Sequence, residues 1–235
     1  MNYQALAEQF WRDGFLMIEN FFSIDLMDDY NSKILEHFGE NPEFSHNAEF
    51  LSRAQTEVIP WFPQRDGDNS FDLIEHDSRL ISLTKAILGN EWYTQYCMVM
   101  FSRMGTKGQA WHQDCPPENS AQFNLNRLMY TMDITEETGG YTMVVRGSHR
   151  KGLLPACDHD VDFPEQQIFI PKKGTLILLH GHAWHKVLPV TGNYRVSTNY
   201  RSAPAGTPEN ITDICVYRNM RYQFSTSQVV EDRLR

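Results

Sequence analysis

The apolar residues change period at Glu91, and that change limits the fold more than any other feature of the chain. Before it, apolar residues recur at helical spacing. Residues 3–13 put Leu6, Phe10 and Trp11 on one face, and Gly14 follows as a stop. Phe15-Leu16-Met17-Ile18 reads as a short buried strand. Ser23 can cap a helix over 24–38 that buries Leu26, Tyr30, Ile34 and Phe38. Residues 41–75, with Pro42, Pro60, Pro63 and Gly67, read as irregular, and Asp77 or Ser78 can cap a third helix that ends at Gly89.

From Glu91 onward the chain alternates. Tyr93, Gln95, Cys97, Val99, Phe101 and Arg103 share one face of a strand over 92–103. Further strands are expected at 127–134, 141–146, 166–171, 174–180, 195–202 and 213–218, punctuated by Gly, Pro, Asn and Asp. Helices first and many short strands afterwards predict an α+β fold with a double-sheet β core. A jelly roll, the cupin-like double-stranded β-helix, is the natural candidate, because it closes most edges and encloses a pocket. The expected layout is one domain over 1–235: 1–90 as mainly helical support packed on one sheet, and 91–220 as the jelly-roll core. With 235 residues the chain can bury one core and not comfortably two.

A formal net charge of −9 argues against a general nucleic-acid binder, which needs a basic surface to displace counterions. The opening Met1-Asn2-Tyr3-Gln4 has no basic n-region, and no run of roughly 20 apolar residues occurs to span a membrane, so the expected location is cytoplasmic. Cys97, Cys115, Cys157 and Cys215 are scattered and read as free thiols.

His112-Gln113-Asp114 carries the chemistry. On a strand, residues i and i+2 point the same way, so His112 and Asp114 can face one interior point. A third ligand would come from the segment after the apolar run 174–180, where His180, His182 and His185 compete. Two imidazoles and a carboxylate can hold Fe(II) on one face and leave the other open for a co-substrate and O₂. Downstream, Arg195, Ser197, Asn199 and Arg201 share one strand face opposite Val196, Thr198 and Tyr200. An all-polar face beside an apolar one is expected if it lines a pocket holding a carboxylate.

These motifs resemble the phytanoyl-CoA dioxygenase family of Fe(II)/2-oxoglutarate oxygenases. Phe10-x-x-x-Gly14-Phe15-Leu16-Met17-Ile18-x-x-Phe21, Trp111-His112-Gln113-Asp114, Thr138 to Arg150 with its Gly147-Ser148-His149 turn, and the eleven-residue step from Gly174 to His185 each match a family segment. Arg146 stands where the family usually has Pro, Val187 where many members have Ser, and Arg195 lies ten residues after His185 where about eleven is usual. The resemblance implies His112, Asp114 and His185 as iron ligands. It implies Arg195 as the 2-oxoglutarate anchor with Ser197 as helper, Arg201 as the fallback anchor, and Arg103 as a further co-substrate contact.

The implied reaction is oxidation, chiefly hydroxylation, of a substrate C–H bond with release of succinate and CO₂. Asp114 is retained where halogenases of this fold carry a small residue. The expected substrate is a small anionic metabolite or natural-product intermediate, with no nucleic-acid or membrane partner. Trp61, Phe62, Trp111 and Tyr130 are candidate pocket aromatics, and Arg103, Arg127 and Arg201 candidate anion contacts. His149 reads as a turn residue and His159 as part of an acidic surface loop. A cupin-like metal enzyme that does not use 2-oxoglutarate could use the same His/Asp/His set, whereas a non-catalytic binding protein on the same scaffold would show a broken triad, and here the triad is intact.

Overall fold

A computed structural model describes residues 1–39 and 44–233; Pro42, read above as part of an irregular stretch, lies outside them. Helix α1 (Tyr3–Asp13) begins at Asn2, whose side chain accepts from the Ala5 N–H, and ends at Gly14 in the left-handed region. A Cβ on Gly14 would lie 2.4 Å from His149 Nδ1, so this turn needs glycine for space as well as for φ. Strand β1 (Phe15–Ile18) follows, then α2 (Ile24–Phe38), capped by the Ser23 hydroxyl. Helix α3 (Ala48–Ala54) falls inside the stretch read as irregular. It spans seven residues and buries only Phe50 and Ala54, too short an apolar stripe to register as a period.

Strand β2 (Ile59–Trp61) and α4 (Ser78–Leu88), capped by Asp77, complete the first part. The segment expected to be mainly helical thus also supplies two strands. The remaining strands are β3 (Trp92–Arg103), β4 (Gln109–Gln113), β5 (Leu125–Met129), β6 (Thr142–Val145), β7 (Gln166–Phe169), β8 (Leu176–His180), β9 (His185–Val187), β10 (Tyr194–Pro204), β11 (Ile214–Tyr217), β12 (Met220–Gln223) and β13 (Gln228–Asp232). The last two extend the strand run past the expected boundary at 220.

The strands form two antiparallel sheets, β1-β8-β5-β10-β3-β2 and β13-β12-β11-β4-β9-β6-β7, the expected jelly roll. The outer face of the six-stranded sheet packs on α1, α2 and α4. Phe10, Tyr30, Ile34 and Leu83 meet Val99, Phe101, Leu178 and Val196 there. Its inner face contributes Leu128, Tyr130, Ile177 and Leu179 to a second core against Val144 and Phe169 of the opposite sheet. Among the described residues no helix is long and apolar enough to cross a membrane, and all four cysteines are free thiols.

Candidate metal and co-substrate site

Strand pairing brings the two histidines together. His112 on β4 lies directly opposite His185 on β9, and Tyr217 on β11 flanks His112 from the other side. Asp114 follows the end of β4 and is pinned by its N–H donating to Gly181 O at 2.9 Å. The His112 and His185 ring centroids are 3.9 Å apart, and Tyr217 stacks parallel on His112 at 4.5 Å. His112 Nε2 is 3.9 Å from Asp114 Oδ1, and His185 Nε2 is 3.7 Å from Asp114 Oδ2.

The donor set fits a divalent metal on several counts. One ligand atom from each of the three residues lies within 4.8 Å of the others, and all three are buried. The Nδ1 atoms of His112 and His185 sit 2.8 and 2.9 Å from the carbonyls of Ala110 and Ala183, each two residues earlier. A carbonyl can only accept, so each Nδ1 carries the proton and each Nε2 offers its lone pair toward Asp114. Burial, then the neighbouring His185, pushes His112 down to about 3, so its ring is neutral as a ligand must be. Burial alone would raise the Asp114 carboxyl, but Arg201, His185 and His112 outweigh it and hold the group near about 2.

Both carboxylate oxygens have an outer partner. Arg201 Nη2 donates to Asp114 Oδ1 at 3.0 Å, and Asn126 Nδ2 donates to Oδ2 at 2.6 Å. Arg201 also donates to Tyr96 Oη at 2.7 Å and to Asn126 Oδ1 at 3.1 Å. Its charge is therefore matched by Asp114, whereas an anchor for a co-substrate carboxylate, the fallback role read for it, would need an unmatched one. The intervening Gln113 points away: its amide donates to His182 O and Gly152 O and accepts from Leu154 N. Its part in His-Gln-Asp is to tie β4 to two loops.

Arg195, Ser197, Asn199 and Arg201 share the cavity face of β10, while Val196 and Tyr200 enter the helix-side core. Arg195 is only 2% exposed. Its Nε donates to Gly140 O at 2.7 Å, Nη1 to Ser197 Oγ at 3.1 Å and Nη2 to Thr142 Oγ1 at 3.2 Å. A Cβ on Gly140 would lie 2.4 Å from Arg195 Cδ, so the guanidinium stem fills the space that glycine leaves. No carboxylate of the described residues pairs with it, and burial lowers its pKa. A buried guanidinium with neutral partners only is an unbalanced charge, which an anionic ligand would offset.

The cavity of about 510 Å³ between the sheets contains His112, Asp114, His185, Arg195, Ser197 and Tyr130. Several other expectations are corrected. Arg103 is exposed at the end of β3, on the face of Phe101, and does not line the cavity; Tyr96, Met98 and Met100 supply that strand's cavity side. Trp61 lies in the helix-side core, stacked on His37 at 3.9 Å. Trp111 packs with Trp184 and Val145, its Nε1 donating to Val161 O. Arg127 pairs with both oxygens of Glu75 at 2.7 and 2.8 Å inside the core. In each case the side chain is one strand position out of phase with the cavity.

Phe62 and Tyr130 do line it. His180 stacks on Phe123 at 4.0 Å, His182 approaches the same ring, and His149 sits 3.1 Å from Trp11 O, all away from the cavity. His159 is partly exposed beside Asp160. Asn126, Thr142 and Tyr217 were not anticipated; Asn126 alone carried a signal, as a lone amide in an apolar strand on the phase of Leu128 and Tyr130.

The fold and the buried cluster define a jelly-roll protein with a two-histidine, one-carboxylate site opening onto a cavity with a buried arginine. The phytanoyl-CoA dioxygenase (PhyH) family model matches residues 10–196, and the chain belongs to that family. The ectoine dioxygenase of Stutzerimonas stutzeri (strain A1501) is 24% identical over 183 residues, covering 73% of this chain. The chain spans about 60% of the length of that curated relative. Among solved structures, HygX from Streptomyces hygroscopicus with nickel and 2-oxoglutarate bound superposes with a TM-score of 0.69 at 16% identity, covering 87% of this chain and 88% of that one. The non-heme alpha-ketoglutarate-dependent epimerase SnoN from nogalamycin biosynthesis gives 0.69 at 18% identity, covering 99% and 92%. At these identities the likeness establishes the fold.

Proposed function

We propose that the protein is an Fe(II)/2-oxoglutarate-dependent dioxygenase that oxidises, chiefly hydroxylates, a C–H bond of a small anionic metabolite or natural-product intermediate. The observation that carries this reading is Arg195: a buried guanidinium that no carboxylate of the described residues pairs with, lining the same cavity as the His112/Asp114/His185 cluster. A metal enzyme that did not bind an anion there would have no use for that charge. Fe(II) with 2-oxoglutarate and O₂ supplies an oxidant for the substrate C–H bond, with succinate and CO₂ as the other products.

The chain's own residues do the positioning. His112 and His185 present Nε2 because their Nδ1 protons are held by backbone carbonyls. Asp114 presents a fixed carboxylate because Arg201 and Asn126 each hold one oxygen. Arg195 takes the distal carboxylate of 2-oxoglutarate, with Ser197 and Thr142 setting the plane of its guanidinium. Leu128, Leu179 and Val187 line the same cavity and exclude water from that pair. The family relationship and the shared fold support the reading.

The test is calorimetric binding of 2-oxoglutarate to the Mn(II)-loaded protein, followed by succinate formation with Fe(II) under air. Tight binding and succinate release above a no-protein control are expected. Metal binding without 2-oxoglutarate binding would overturn the proposal in favour of another kind of metal enzyme.

A further inference from the structure

Arg201 reaches Asp114 as one member of a hydrogen-bonded chain that runs from Thr212 through Tyr96 and Arg201 to the carboxylate. Strand pairing builds it. Tyr96 on β3 lies directly opposite Arg201 on β10. Opposed residues of antiparallel strands share a face, and both of these line the cavity. Regular pairing breaks just beyond them, where β3 inserts Gln95 between the partners of Arg201 and Ser202. Bulges of this kind re-aim side chains.

A guanidinium only donates, so Arg201 Nη1 gives its hydrogen bond to the Tyr96 hydroxyl at 2.7 Å. The phenol proton is then free for Thr212 Oγ1 at 3.0 Å. Each nitrogen of Arg201 has a different partner: Nη1 has Tyr96, Nη2 has Asp114 Oδ1 at 3.0 Å and Nε has Asn126 Oδ1 at 3.1 Å. Asn126 Oδ1 also accepts from Asn124 and Asn199 at 2.9 and 2.8 Å, so the Arg201 contact is the longest of three on that oxygen. The bond to Tyr96 is the shortest that Arg201 makes, and it is the one fixed point for Nη1 among the described residues. With Nη1 released, the guanidinium can pivot about its contact to Asn126 and carry Nη2 off Asp114. Tyr96 is itself held, by Thr212 at the hydroxyl and by Phe62 edge-on at 5.4 Å. Thr212 is tied back to the ligand: Cys215 Sγ lies 3.7 Å from Thr212 O and 3.3 Å from Asp114 O.

We propose that Tyr96 is a positioning residue for the metal centre, its hydroxyl setting the Arg201 guanidinium and through it the orientation of the Asp114 carboxylate. The inference rests on the reading of His112, Asp114 and His185 as metal ligands, and it adds a residue that touches none of the three. Phenylalanine at this position keeps the ring and its packing and removes only the hold on Arg201.

The test is calorimetric Mn(II) binding to the full chain as wild type, Tyr96→Phe, Arg201→Met and the double variant, with the EPR spectrum of the bound Mn(II) recorded for each. Tyr96→Phe is expected to weaken Mn(II) binding about ten-fold, the lower end of what outer partners of metal ligands contribute. It should also change the Mn(II) line shape, which follows ligand geometry. In the Arg201→Met background the same substitution should change neither, because the residue it acts through is gone. Wild-type affinity and line shape in Tyr96→Phe overturn the proposal, as does an equal loss in both backgrounds, which would be a general effect on the fold. Thr212→Val leaves the phenol in place without its far partner, and should weaken binding by less than Tyr96→Phe and only while Arg201 is present. If Tyr96→Phe does not fold, Thr212→Val decides by the same comparison of backgrounds. Wild type that binds no Mn(II) defeats the metal reading and this inference with it, whereas wild-type binding that Tyr96→Phe leaves unchanged defeats this inference alone.

Discussion

Replacing Arg195 with Met tests the co-substrate site through two opposite effects. In the ligand-free protein Arg195 makes three hydrogen bonds, to Gly140, Ser197 and Thr142, and no ion pair among the described residues. As bonds from a charged group they contribute about 1.5–3 kcal/mol each. Against them stands an effective desolvation penalty of several kcal/mol (order of magnitude) for a buried ion. The two nearly cancel, and Met fills much of the same volume, so the ligand-free variant should unfold within a few degrees of wild type.

With 2-oxoglutarate present the balance changes. Losing one partner of a buried, hydrogen-bonded charge pair costs about 2–5 kcal/mol, which is roughly thirty- to several-thousand-fold in affinity. Ligand at about 100 times its Kd stabilises wild type by ~2.7 kcal/mol. In a chain of this size that is about 5–10 °C of Tm. The assay is thermal unfolding of the Mn(II)-loaded protein with and without 2-oxoglutarate. Wild type should shift by that amount and Arg195→Met by no more than about a third of it. A variant that keeps the shift, or one that is crippled before ligand is added, would refute the argument that this charge awaits an anion.

The metal register is checked by calorimetric Mn(II) binding: Asp114→Ala and His185→Ala should abolish it, whereas His182→Ala, which faces Phe123, should retain it, and the reverse pattern would displace His185. Arg201→Met frees Asp114 Oδ1 and should weaken metal affinity about 10–100-fold, as outer partners of metal ligands do; an unchanged affinity would mean that Asn126 orients the carboxylate alone. Arg127→Met leaves the half-buried Glu75 without its partner and should cost up to about 3–5 kcal/mol in denaturant unfolding, with 2-oxoglutarate affinity unchanged; a shifted affinity would return Arg127 to the ligand site. Burial holds His112 down to about 3 and His182 to about 4, whereas an unfolded histidine protonates near ~6.5. Below that pH the unfolded state binds more protons than the folded state, so metal-free stability should be full above pH ~6.5 and fall as pH drops toward 4; a Tm that is flat or rises from pH 6.5 to 5 would contradict the buried, neutral rings.

The sequence alone determined what local periodicity and short spacing encode. Helix α2 starts at Ser23 and ends at Phe38 as read, because a hydroxyl cap and a four-membered apolar stripe are both local signals. The polar face of β10 followed from alternation, and His112 and Asp114 on one side of the chain from i, i+2 spacing. Selection of His185 from three histidines needed the family spacing, since all three follow the same apolar run. Strand phase was the limit. Trp61, Trp111, Arg103 and Arg127 look like pocket residues by type, yet each points to the other face, because nothing in a residue's identity says which side of a sheet will be covered by helices. Helix α3 and strand β13 were missed because each buries too few side chains to leave a period, and β12 because its alternation runs over only four residues.

Only the tertiary structure decided the pairings between strands distant in sequence. It set His112 opposite His185 across β4 and β9, gave Arg201 to Asp114 and left Arg195 without a counter-charge among the described residues. Two arginines six residues apart on one face of one strand are equivalent in sequence. They differ because a strand rises about 3.3 Å per residue, so Arg201 comes level with the carboxylate while Arg195 ends far enough along the cavity to meet none.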